Sequence, residues 1–237
     1  MDAVQKFSVP IAIIVAGALI GGGLYFSHQS SGGTPSTPQA PSVNIKDVKV
    51  TADDPFIGNQ NAPVTIAYWS DYQCPYCKAV EVGGIPQIPV APALPDVIKQ
   101  YVDTGKVKIV FKDYPFLGND SITGALYEHA VWEMYPDKFY DWRDAMFKAQ
   151  DQEGDTGFGN EASILKLIKT IPGLDAGKLQ ALVAQKKDAY TAIMNADRDE
   201  GTKLGITGTP AFIIGKTLIA GAEPLASFTA AIDAQLK

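Results

Sequence analysis

Residues that bind soft metals are scarce in this chain: two cysteines and two histidines in 237 positions. A structural zinc site takes about four such ligands. Cys74, Cys77 and His129 leave that set incomplete, and His28 stands apart in a polar stretch. Neither a metal nor an organic cofactor is expected, and His129 reads as an ordinary packed or surface residue. Basic residues are also few. Twenty Lys and Arg face 26 Asp and Glu, for a net charge of −6, and no cluster forms the stripe that phosphates require. Nucleic acid is therefore not an expected partner, and the acidic balance serves solubility. No internal repeat is present, which removes solenoid architectures.

What is there begins with one long apolar run. Val9 to Phe26 carries no charge. As a helix it spans roughly 27 Å, close to the ~30 Å hydrocarbon core of a bilayer. Lys6 precedes it and no Lys or Arg follows before Lys46. That bias places the N-terminus in the cytoplasm and the remainder outside. A cleaved signal peptide competes, but its candidate small-residue site, Ala16-Gly17-Ala18, lies inside the apolar run rather than beyond it. Residues 1–26 are thus expected to anchor the chain, meeting lipid through residues 9–26. Ser27 to Asn44 is rich in Ser, Gly, Thr and Pro, the composition of a tether reaching roughly 20–25 Å. One extracytoplasmic domain, residues 45–237, follows.

Within it, Ala62–Ser70 is a short β-branched and aromatic run that reads as a buried strand. Gly83–Pro95 holds four prolines and cannot continue a helix. Asp96–Gly105 reads as a helix and Lys106–Pro115 as a second strand. Helical periodicity dominates 121–204, broken by Gly and Pro. Two short strands, Pro210–Gly215 and Lys216–Gly221, form a plausible hairpin, and a last helix follows with Pro224 in its first turn. This order predicts a mixed α/β sheet with a helical insertion.

Both cysteines fall in one four-residue motif, Cys74-Pro75-Tyr76-Cys77. A disulfide stabilises mainly by closing a long loop in the unfolded chain, and this one closes almost none. The spacing suits redox chemistry better. With Cys74 at the cap of a helix, Pro75 takes the first helical position, where a missing N–H costs nothing. Cys77 then shares a face with Cys74 within bonding reach. Unpaired N–H groups at the helix start favour a Cys74 thiolate, the attacking form. Tyr76 is expected to stand exposed beside Cys74. Trp69, Tyr72, Tyr114 and Phe116 bracket the motifs as core or rim, and Trp132 and the aromatics of 135–142 pack the insertion.

Four segments carry a resemblance to the DsbA-like family of the thioredoxin superfamily. They are Asp53–Cys77, Val110–Pro115, Gly205–Gly215 with its Thr-Gly-Thr-Pro, and Ile219–Asp233. The resemblance implies a thioredoxin-like fold and a cis peptide bond at Thr209-Pro210 facing the cysteines. It further implies that the backbone of Thr209 pairs with an extended substrate segment. The chain departs from the family twice. Tyr68 stands where relatives often carry a strand Glu six residues before the first cysteine, which leaves the deprotonation of Cys77 without its usual group. Asp71 is expected on the exposed approach, and Lys112 as a solvated strand charge. The second departure is the proline-rich stretch 83–95, either a docking surface or a tolerated insertion.

The expectation is a membrane-tethered thiol–disulfide oxidoreductase, working as a dithiol oxidase on unfolded or reduced exported proteins through Cys74 and Cys77. A membrane or extracytoplasmic redox partner would reoxidise it. Two alternatives stay open: a tethered reductant or isomerase on the same fold, and a non-catalytic binding module with a vestigial disulfide.

Overall fold

The computed structural model describes residues 43–151 and 157–237. The expected anchor, and nearly all of the tether, lie outside the described residues. Among these, no helix is long and apolar enough to cross a membrane.

The centre is strand β2, Val64–Ser70. It pairs in parallel with β3, Val107–Asp113, and antiparallel with β4, Ala211–Ile214. The short β1, Phe56–Gly58, lies antiparallel on the outer edge of β3, and β5, Thr217–Ala220, lies antiparallel on β4. The order is β1-β3-β2-β4-β5. Both faces of β2 are covered, which is why it reads as a near-continuous apolar run. Val64, Ile66 and Tyr68 join one core cluster, and Ala67 and Trp69 join another on the opposite face. That alternation is the period of two of an extended strand.

Helix α1, Pro75–Glu81, follows β2 directly. Its end is enforced by Gly83 and Gly84, both at positive φ, and by the prolines beyond. The chain resumes as α2, Leu94–Val97, continued by a wider π-type turn through Ile98–Val102. Helices α3 (Asn119–Met134), α4 (Phe139–Ala149), α5 (Glu161–Ile168) and α6 (Ala176–Lys203) make up the insertion, and α7 (Leu225–Gln235) closes the domain. Tyr72, Cys74 and Cys77 pack into the same apolar cluster as α3, α4, α5 and α6. The insertion is thus the wall behind the cysteine motif.

The sequence expectation is met for the mixed sheet, the helical insertion and the break after α1. It missed β1, whose three residues offer no periodicity. Gly58 ends β1 at φ +97, where an added Cβ would lie 2.6 Å from the Val107 carbonyl oxygen. Pro224 is the N-cap of α7 rather than its first helical residue.

Candidate active site

Cys74 is the N-cap of α1 and Pro75 its first residue, which places the motif where its spacing predicted. Both cysteines are unbridged thiols. Cys74 is 3% exposed and Cys77 fully buried, while Tyr76 between them is half exposed. The Thr209–Pro210 peptide bond is cis. It brings the Thr209 carbonyl to 3.3 Å from the Cys74 sulfur, which donates to it. Cys74, Pro75, Tyr76, Cys77, Thr209 and Pro210 are therefore assembled at one place, although 135 residues separate the two segments.

The two thiols differ in acidity. Cys74 is lowered to about 7, first by a hydrogen bond from Cys77, against the opposing effect of burial. The Thr209 side chain and the backbone N–H groups of Cys77 and Tyr76 also favour its thiolate. Helix α1 is short, so its own part in this comes from these first-turn N–H groups and not from a long aligned dipole. Cys77 is raised well above the ordinary thiol value, first by burial and then by its place beside Cys74. The outer sulfur is set up to attack or to leave, and the inner one is held protonated.

The motif is fixed by residues that sequence reasoning passed over. Asp71 is buried, contrary to its expected place on an exposed approach. Its carboxylate accepts from the backbone N–H of Gln73 at 2.8 Å, Phe116 at 2.9 Å and Leu117 at 3.3 Å, tying the turn before Cys74 to the loop after β3. Gln150 donates to the carbonyls of Tyr72 and Cys74 at 2.7 and 3.1 Å. Behind these, Arg143 of α4 is fully buried. It donates to Glu81 at 2.8 Å, to Ser70 at 2.8 Å and to Tyr72 at 3.1 Å, and its guanidinium lies 4.3 Å from the centre of the Phe111 ring. Glu81 had a sequence signal, because it falls one turn after Cys77 on the same helix face. Arg143 had none, since helix periodicity does not show which lone cation will be enclosed.

Lys112 also departs from expectation. It is buried and paired with Asp54 at 2.8 Å and Asp197 at 2.6 Å, not solvated. Next to it in the chain, Asp113 meets His129 at 2.6 Å, so the histidine is a buried ion-pair partner. Among the described residues no group of His, Cys, Asp and Glu has the arrangement of a metal site.

A family model described as thioredoxin matches residues 50–234. The chain belongs to the thioredoxin family. Within it, this thioredoxin-family chain is 26% identical over 186 residues to the probable disulfide bond formation protein D of Bacillus anthracis, covering 76% of this chain and 77% of that one. The disulfide bond formation protein D of Bacillus subtilis is 25% identical, with 77% of each chain covered. Among solved structures, the thiol-disulfide exchange protein alpha-DsbA2 from Wolbachia pipientis is 30% identical, with 77% of this chain and 87% of that one covered and a TM-score of 0.63. Oxidised BdbD from Bacillus subtilis shares the fold at a TM-score of 0.68, covering 83% of this chain and 98% of that one, at 24% identity.

Proposed function

We infer that the chain is a thiol–disulfide oxidoreductase that works as a dithiol oxidase. The observation that carries the exchange chemistry is the unequal thiol pair in one helical turn: Cys74 lowered to about 7 and Cys77 raised, with the Thr209 carbonyl against the outer sulfur. In the oxidised state a substrate thiolate attacks Cys74, the Cys74–Cys77 bond breaks, and Cys77 takes the electron pair. A second substrate thiol then attacks its partner sulfur in the mixed disulfide, and Cys74 leaves as the stabilised thiolate. The relatives named for disulfide bond formation support this direction.

We assign catalysis to Cys74 and Cys77, positioning of the motif to Pro75 and Tyr76, and docking of an extended substrate segment to the backbone beside Thr209 and Pro210. Residues 1–26 anchor the domain in a membrane, residues 27–44 tether it, and residues 45–237 act outside the cytoplasm on exported proteins. The uncharged run from Val9 to Phe26 and the absence of Lys or Arg between it and Lys46 support this topology.

One observation favours the reverse electron flow. A first thiol near 7 is that of a milder couple, since the most oxidising pairs carry a thiol near 3.5. The potential decides. Equilibration with glutathione is expected to give a value toward roughly −120 mV, and a value near roughly −270 mV makes the protein a reductant. Cys74→Ser is expected to abolish oxidation of a reduced, unfolded substrate, and Cys77→Ser to accumulate mixed disulfides visible on a non-reducing gel. Full turnover by the Cys74→Ser protein would defeat the assignment.

A further inference from the structure

Closure of the Cys74–Cys77 bond needs a Cys77 thiolate, yet Cys77 has no exposure to water. Its proton must leave through the protein. Tyr68 lies on β2, six residues before Cys74. Its ring stacks on Phe212 at 4.1 Å, and the residue is fully buried. The Tyr68 hydroxyl has no well-aligned hydrogen-bond partner among the described residues, though Arg143 and Glu81 both interact with it. It nevertheless lies close enough to Cys77 and Glu81 for both to oppose its ionisation, after burial itself.

Glu81 is the next group inward. It is 1% exposed, and its Oε1 accepts from Arg143 Nε and Nη2, each at 2.8 Å. Its Oε2 is buried and has no hydrogen-bond partner among the described residues. Burial raises the Glu81 carboxyl, while Arg143 and the Tyr68 hydroxyl favour its ionised form. From α4, Arg143, Asp144 and Tyr140 act on it; from β2, Tyr68; on its own helix, Cys77 lies one turn away. From α2, Asp96 and Lys99 are solvent-exposed. Asp71, the other carboxylate near the motif, already accepts three backbone N–H groups. Tyr68 and Glu81 thus each bring a buried oxygen without a well-aligned partner to the neighbourhood of Cys77, the one thiol that has to lose a proton.

We propose that Glu81, reached through the Tyr68 hydroxyl, accepts the Cys77 proton when the disulfide closes and returns it when the disulfide opens. During reoxidation a partner disulfide has already formed a mixed disulfide with Cys74. The Cys77 proton passes to the Tyr68 oxygen as the Tyr68 proton passes to Glu81 Oε2. The freed electron pair on Cys77 makes the bond to Cys74, and the partner sulfur leaves as a thiolate. In the oxidising stroke the order reverses: Cys77 is expelled by the substrate thiolate and is reprotonated from Glu81. When Glu81 is neutral, Arg143 still has Glu128 3.5 Å from its Nη1.

The inference rests on the exchange chemistry proposed above. Its test compares the full-length protein with Tyr68→Phe, which removes one hydroxyl, and Glu81→Gln, which keeps an acceptor for Arg143. Reduced protein is mixed with glutathione disulfide, and closure of the internal disulfide is followed against pH by stopped flow. Alkylation of Cys74 is measured in parallel. General acid–base catalysis typically contributes about 10²–10⁴-fold. Each variant is expected to close at least about tenfold more slowly near pH 7. The pH dependence of closure should change, while Cys74 alkylation stays within about twofold. Closure at the wild-type rate with the wild-type pH profile in both variants would overturn the relay. So would an equal slowing of closure and Cys74 alkylation. A wild-type protein inert toward glutathione disulfide would instead overturn the exchange chemistry itself, and the relay with it.

Discussion

The acidity of Cys74 depends first on another side chain, the Cys77 thiol that donates to it. Cys77→Ala therefore has a defined effect: it removes the leading cause and leaves burial opposed only by Thr209 and two backbone N–H groups. The inflection of thiolate absorbance against pH is expected near 7 in the reduced wild type and clearly higher in the variant. An unchanged inflection would mean that the helix start alone sets the value.

Elements hold the motif because they meet closely at a few points. Where α6 crosses β2, Trp69 donates its indole N–H to the Asp197 carbonyl at 3.0 Å. Gly201 lies one turn on, and an added Cβ would come within 2.9 Å of Trp69 Nε1. Gly201→Ala is expected to cost roughly 1–3 kcal/mol through overpacking against a ring that cannot retreat. A fall in the thermal midpoint measures it. Helix α6 runs 28 residues and is the longest element described, so this contact fixes the insertion against the sheet. The four longer strands and the break after α1 were legible in the sequence because periodicity and proline act locally. The placement of Asp71, Lys112 and Arg143 was not, because each is fixed by a partner far along the chain: Asp71 by Phe116, Lys112 by Asp197, Arg143 by Glu81. Polar residues carry no mark of burial until that partner is known.

Across the molecule, buried charge makes stability depend on pH. Burial alone would lower His129, but Asp113 and nearby acids raise it to about 9 from its ordinary 6.5. A base raised by folding stabilises fully below about 6.5 and loses that contribution as pH climbs through about 9. The full effect is roughly 3 kcal/mol. Glu128 and Asp197, each raised to about 7 by burial, act in the same sense lower on the scale. Their protonated forms favour folding, and that contribution fades as pH rises toward 7 and beyond. Cys74, lowered to about 7, acts in the opposite sense between pH 7 and 9. Urea unfolding of the oxidised protein, which has no free thiol, is therefore expected to show falling stability from pH 6.5 to 9, and His129→Gln to flatten that segment. Stability that rises over this interval would contradict the Asp113–His129 pairing. Such a network also explains why the site could be found from its motif but not completed: Cys74-Pro75-Tyr76-Cys77 is contiguous, whereas its supports come from β2, α3, α4 and the loops around them.

The cysteines occupy the cap and the third residue of one helix, and the chain has no others. A bond between them encloses no long loop, and the fold described here stands with both sulfurs reduced. Gaining or losing the bond thus changes no long-range connection of the chain. The domain is spared the mispairing that complicates maturation of many-cysteine proteins, because it has only one internal pairing to make.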